Sequence, residues 1–286
     1  MIEINRDNLN ESIKQIESII NKIKAIDAKN LRQSQRTLLE KRLVALNISL
    51  QLMNERLASI KEVKSVDIIQ ILGEDNLANA RGFTPYKSIV FCVIDAIFSI
   101  RAKYNPTTIN VLDRTAKALK LESRFEPYKV SDFLNLYENE QPLELANNLF
   151  GNKQRTSTSN GVLKSEAVME ALSLFHKFGI DTIDDFNDHT NRNQVESQWL
   201  KLKGQSTGVT WRYLCMLAGD QNKFKDDTHI YNFFINKLGY SLKPSHDYDT
   251  LEKLFHQEHK KVISKYPNIS VAILDHMIWK YMSGNF

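Results

Sequence analysis

The residues best placed to do chemistry lie between Val195 and Gly239. Gly204 and Gly208 bracket a short polar turn there, and an Asp226-Asp227-Thr228-His229 run follows one predicted helix later. Glycine reaches positive backbone angles and lets an anion approach the main chain without a Cβ in the way. The turn Lys203-Gly204-Gln205-Ser206-Thr207-Gly208 therefore suits a phosphate. The helix predicted over Val209 to Ala218 begins directly after Gly208, so its free N–H groups and positive dipole end face whatever anion sits on that turn. Asp227 stands just before a second predicted helix, Thr228 to Leu238, and two roles are open to it. It can cap that helix, the commonest use of an aspartate at such a position. It can also hold a carboxylate against positive charge that develops in a reaction.

Other clusters say less. His256 and His259 are three apart on one helical face with Glu258 between them, but no second ligand pair at a recognisable spacing accompanies them, so no metal site is expected. In the run Gly151 to Gly161, Lys153 and Arg155 lie among small hydroxyl residues. Phosphate contact and a plain solvated loop are equally open there.

The order of these parts resembles the helix-hairpin-helix superfamily of base-excision DNA glycosylases, the group that includes endonuclease III. The superfamily's hairpin typically reads Leu-Pro-Gly-Val-Gly and its catalytic segment Val-Asp-Thr-His. Here Leu202, Lys203, Gly204 and Gly208 resemble the hairpin, and Asp227, Thr228 and His229 resemble the catalytic segment. Asp226 stands at the family's apolar position, and Asn236-Lys237-Leu238-Gly239 is similar to the family's helix ending. The hairpin is about two residues longer than the family's and the helix after it about two shorter. Upstream, Phe91 to Leu119 resembles the family's opening helix pair, with Ser99, Ile100 and Arg101 on its corner. Gly161 to Ile180 resembles the next, glycine-led helix, with Lys164 to Ala167 at its lysine-alanine start. The resemblance spans roughly residues 84 to 240.

This resemblance implies an all-α fold of two helical lobes with a DNA-facing cleft between them, and double-stranded DNA as the partner. Asp227 would be the carboxylate that stabilises an oxocarbenium-like sugar while a damaged, modified or mispaired base leaves. Lys203, Gly204, Gln205, Ser206, Thr207, Gly208 and Lys225 would meet the DNA, and Arg101 would fill the space vacated by the extruded base. Bifunctional relatives carry a lysine near the start of the second hairpin helix. The best match here is Thr210, whose hydroxyl cannot form an imine, so hydrolysis without strand cleavage is expected. The last cysteine is Cys215, so the four-cysteine iron–sulfur cluster of many relatives has no ligands. No cofactor is implied, and a monovalent cation at the hairpin is left open. Two other functions stay open: a DNA-binding protein that does no chemistry, and a helical interaction protein.

The elements that must position these residues read as helices throughout. Apolar residues recur at helical spacing over Lys87 to Arg101, Thr107 to Leu121, Lys164 to Phe178 and Asp249 to Ile263, with no sustained alternation. Leu9, Ile13, Ile16, Ile20 and Ile23, and again Leu39, Leu43, Leu46, Leu50, Met53 and Leu57, follow heptad spacing. These predict two antiparallel helices turning near Asp27 to Asn30, with self-association through the pair open. The organisation expected is a helical hairpin over 1–62, a connector over 63–84 and a glycosylase-like core over 85–286. That core holds the hairpin motif at 195–219 and C-terminal helices at 247–286, with Trp279 and Tyr281 inside the packing.

Composition bounds the rest. The chain has 286 residues, 42% hydrophobic and 25% charged, the profile of an ordinary globular protein. Its 38 basic against 34 acidic residues permit DNA binding without announcing it. Cys92 and Cys215 fall in apolar helical patterns and fit reduced, buried thiols. No window approaches the ~18 apolar residues of a membrane helix, and MIEINRDNLN lacks a basic stretch leading into an apolar one, so a cytoplasmic protein is expected.

Overall fold

A computed structural model describes residues 6–26, 31–59, 67–188, 190–244 and 246–284. The protein is all-α: among the described residues the only extended pairing is an isolated antiparallel bridge between Arg155 and Leu163. Two compact units divide the chain, Met1–Lys64 and Ser65–Phe286.

The first unit is a helical hairpin of α1 (Arg6–Lys24) and α2 (Gln33–Ser59). Leu9, Ile13 and Ile20 of α1 are buried, and Leu39, Leu43, Leu46, Leu50 and Met53 of α2 are half-buried, as the heptad spacing requires. The predicted turn at Asp27 to Asn30 and the side chain of Leu57 lie outside the described residues. A second apolar row on α2 was not anticipated: Leu38, Val44, Ile48 and Leu52 are all more than half exposed.

The second unit begins inside the expected connector. Helices α3 (Ile68–Leu72) and α4 (Glu74–Ala78) bury Ile68, Leu72 and Leu77, so this stretch is a packed part of the unit and no spacer. Its glycine and polar punctuation marks helix ends: Gly73 closes α3 with a positive φ of 84° and leads straight into α4. Then follow α5 (Ile89–Phe98), α6 (Ile109–Ala118), α7 (Val130–Tyr137), the single turn α8 (Pro142–Glu144), α9 (Lys164–Lys177), α10 (Ile183–Asp188), α11 (Arg192–Trp199) and α12 (Val209–Leu217). The last three are α13 (Thr228–Asn236), α14 (Tyr248–Lys265) and α15 (Val271–Ser283).

Buried apolar side chains of this unit fall into two clusters. One surrounds α5, in which every residue is buried, and gathers side chains from α6, α7, α9, α11 and α12. The rings of Phe175, Phe186, Trp199 and Trp211 pack together there, Phe186 to Trp211 at 5.6 Å. The other joins α3 and α4 to α13, α14 and α15, so the earliest and latest parts of the unit share one core. Cys92 and Cys215 are free thiols in the first cluster.

The run Gly151 to Gly161 is better ordered by hydrogen bonds than its composition suggests. Thr156 N donates to Val162 O at 2.9 Å and Lys164 N to Gln154 O at 2.9 Å, while Arg155 spends Nη1 on Gly161 O at 2.6 Å.

Candidate functional site

The polar turn between α11 and α12 has the backbone its glycines require. Gly204 and Gly208 take φ of 85° and 76°, in the region side-chain-bearing residues avoid, and Gly208 caps α12 from the left-handed conformation. A Cβ on Gly208 would sit 2.5 Å from Arg212 Nη1, and one on Gly204 would sit 2.5 Å from Thr156 Cβ. Lys203, Gly204, Ser206 and Thr207 are exposed, as a phosphate-gripping turn needs.

Gln205 departs from the expected DNA-facing position because it is buried, its Oε1 accepting from Thr210 Oγ1 at 2.6 Å while Trp199 Nε1 donates to the same hydroxyl at 3.1 Å. The hydroxyl at the lyase position is thus consumed in holding the turn onto α11. Carbonyls of the turn, the place left open for a monovalent cation, are already engaged. Leu202 O and Gln205 O accept main-chain N–H groups from Gln205 and Gly208, and Thr207 O accepts from Arg212 Nη2 at 3.0 Å, which sets a fixed positive charge against the turn.

Arg212 also explains Asp226. Its Nε and Nη2 donate to the two carboxylate oxygens of Asp226 at 2.7 and 2.6 Å, and its guanidinium lies 3.8 Å from the ring centre of Tyr248. A position that is apolar in the resembling family is here a buried charge with a forked partner. Burial pushes the Asp226 carboxyl up, and the hydrogen bonds from Arg212 pull against that.

Asp227 faces a different setting. It caps α13, with Oδ1 accepting from His229 N at 2.8 Å and Ile230 N at 3.4 Å. Its Oδ2 stands 3.9 Å from Lys225 Nζ. The residue lines a cleft of about 1000 Å³, together with Arg101, Thr207, Lys225 and His229. Among the predicted residues these come together, with Gly204 in the same lining.

Lys225, expected on the DNA backbone, is turned into the protein. Its Nζ donates to Ser99 Oγ at 3.0 Å and rests 3.9 Å from the ring centre of Tyr213, and its side chain is 12% exposed. It ties the segment carrying Asp227 to the end of α5, so its ammonium is already engaged within the cleft wall.

Spacing alone did not reveal several residues in and behind this cleft, whose lining includes Tyr86, Tyr104 and Tyr213. Asp95, buried in the middle of α5, accepts from Tyr86 and Tyr104 hydroxyls at 2.8 Å each and from Tyr213 at 3.4 Å. Burial pushes its carboxyl up, opposed by the charge of Lys225 and by the three phenols. A single carboxylate in IVFCVIDAIF was the available signal, since a charge among apolar neighbours must find partners. From α15 come Asp275 and Trp279, with His276 between them. Asp275 is buried and accepts from Lys225 N at 3.1 Å, and burial followed by the nearby charge of Asp227 pushes its carboxyl well up. His276 stacks on Trp279 at 5.7 Å and is held down to about 4, chiefly by burial and then by Lys280. Trp279, expected in the core, stands half-buried in the cleft wall instead, edge-on to Tyr104 at 6.1 Å, while Tyr281 does pack, against Phe233 at 5.8 Å.

At the corner after α5, Arg101 is exposed with φ of 53°. Beneath it Lys164 Nζ donates to Phe98 O at 2.9 Å, Ile100 O at 2.6 Å and Gln154 Oε1 at 3.0 Å. A cation is thereby placed on the carbonyl end of α5, where the helix dipole favours it. Burial, then Lys225 and Arg101, bring this ammonium down to about 8. The His256, Glu258 and His259 run does not converge: Glu258 accepts from Tyr240 and Lys261, and His259 Nε2 pairs with Ile269 O at 2.7 Å.

A family model matches residues 63–283, and the chain belongs to that family, described as a domain of unknown function (DUF8548). No curated protein and no solved structure matches the chain. The matched span leaves out α1 and nearly all of the first unit.

Proposed function

We propose that this member of the DUF8548 family is a monofunctional DNA glycosylase acting on double-stranded DNA. The observation that carries the reading is Asp227. One of its oxygens is committed to capping α13, while the residue lines an aromatic-walled cleft whose lining also includes Arg101 and, from the glycine turn, Gly204 and Thr207. In the reaction, water adds to C1′ of the sugar as the bond to the base nitrogen breaks. The bonding pair leaves with the base, and the water's proton is released. The Asp227 carboxylate stabilises the positive charge on the sugar between these events. Exposed N–H groups on the turn and at the start of α12 would meet backbone phosphates. Arg101 would occupy the gap left by the extruded nucleotide. The two apolar clusters, with α3 and α4 sharing a core with α13 to α15, support a two-lobed arrangement of the resembling kind.

The buried hydroxyl at Thr210 supports hydrolysis without strand cleavage. Duplexes each carrying one altered base should yield intact abasic strands, and borohydride added during turnover should trap no protein–DNA adduct. A robust adduct would point to Lys225, the amine nearest Asp227. The completeness of the Asp227 cap favours one rival, a DNA-binding protein without chemistry. Tight duplex binding with no base released from any duplex would select it.

A further inference from the structure

The outward face of α2 has a regularity its packing on α1 does not use. Lys41, Val44, Ile48, Leu52 and Glu55 are spaced three, four, four and three residues apart, so the pattern reads the same from either end about Ile48. At 3.6 residues per turn they occupy an arc of about 80° on the helix surface. The seam residues that meet α1, such as Leu43, Leu46 and Leu50, fall on the opposite side. Val44, Ile48 and Leu52 are 60%, 53% and 60% exposed, and Lys41 and Glu55 are exposed as well. Leu38, also exposed, widens the same apolar strip.

We propose that α2 pairs antiparallel with α2 of a second copy of this chain, with the two-fold axis at Ile48. Such a pair sets Ile48 against Ile48, Val44 against Leu52 and Lys41 against Glu55, each of the last two twice. An interface related by a two-fold must be self-complementary in this way. Charge complementarity selects the occupant: a parallel pair would set Lys41 against Lys41 and Glu55 against Glu55. With α1 on the far side of each α2, the assembly is a four-helix one, the arrangement that buries both apolar faces of a two-faced helix. This inference stands apart from the glycosylase reading, because it rests on the first unit alone.

The test is the mass of the full-length chain in solution, measured by light scattering or sedimentation at tens of micromolar. Twice 33.1 kDa is expected. Lys41→Glu and Glu55→Lys, each alone, put like charges across the pair and should weaken it at least about tenfold. An equimolar mixture of the two variants should recover the dimer, and so should the double variant. Ile48→Cys should crosslink to itself under mild oxidation, against little background because Cys92 and Cys215 are buried. All the substituted side chains are exposed, and unchanged circular dichroism will confirm that the variants fold. A monomeric wild-type chain, a dimer indifferent to Lys41→Glu, or a mixture that stays monomeric overturns the proposal.

Discussion

Asp226 and Asp227 are neighbours in the chain and opposites in their surroundings. Asp226 is closed in: both of its oxygens meet one guanidinium, which also holds the carbonyl of Thr207 and covers Tyr248. Asp227 is half open, with one oxygen tied to the start of α13; both residues line the cleft, but the Asp227 side chain is 22% exposed against 3% for Asp226. The first arrangement commits both oxygens to Arg212 and ties the α12–α13 connection back to α12. The second is less satisfied, and that incompleteness is what a reactive carboxylate needs. The contrast separates a charge that builds the site from a charge that can work in it.

The contrast breaks most sharply under Asp226→Asn. Removing the charge leaves Arg212 buried without its counter-ion, so unfolding by urea should show a loss of about 3 kcal/mol. Asp227→Asn should lose less than about 1 kcal/mol, since asparagine caps nearly as well. Activity should divide the other way. Once a substrate is in hand, Asp227→Asn should slow base release roughly 100-fold or more while duplex binding persists. Wild-type release by that variant would leave Asp227 as a cap and nothing else.

Arg101 sharpens the comparison at the far lip. Its φ of 53° suits glycine, so Arg101→Gly should raise stability by roughly 1 kcal/mol, read from the thermal midpoint corrected to free energy. The same change should cost base release about tenfold if the guanidinium fills the vacated stack. Stability and activity moving together would remove Arg101 from the mechanism.

The smallest effect concerns protons. His276 keeps a folded value of about 4 against an ordinary 6.5. Below the ordinary value the unfolded chain takes up a proton that the folded chain refuses. Its contribution to stability is therefore complete above pH 6.5, declines as pH falls, and levels off near pH 4. His276→Phe should flatten that part of the stability profile, and the imidazole resonances of the wild type should titrate near pH 4. A midpoint near 6.5 would mean the ring is solvated and the stack on Trp279 is loose.

Local patterns in the sequence reached some of this arrangement and missed the rest. The helices α5, α6, α9, α12, α13 and α14 were readable from spacing, because each lays an apolar stripe on one of two cores, whereas the short α7, α8 and α10 were not. Gly204 and Gly208 were readable because a tight turn leaves few other residues possible. What escaped depends on partners far along the chain. Asp275 reaches Lys225 only because α15 returns across the cleft, and Arg212 reaches Asp226 only because α12 turns back on its own exit. Gln205 misled for a related reason: a polar side chain in a turn is ordinarily solvated, but the Thr210 hydroxyl, which accepts from the indole of Trp199, needed an acceptor of its own inside. α3 and α4 were hidden by brevity, since five residues are too few to show a period.

One consequence lies in how the cleft is held. The carboxylate of Asp95 is fixed by phenols arriving from before α5, after α5 and from α12, so three stretches of chain are riveted at a single atom group. The cost of stripping water from that carboxylate is met when the chain folds, before any ligand enters the cleft. A wall settled in advance adds little ordering entropy to an encounter. Complex formation should then run at the pace of diffusion and orientation, with no slow rearrangement of the protein visible as a second phase in stopped-flow traces.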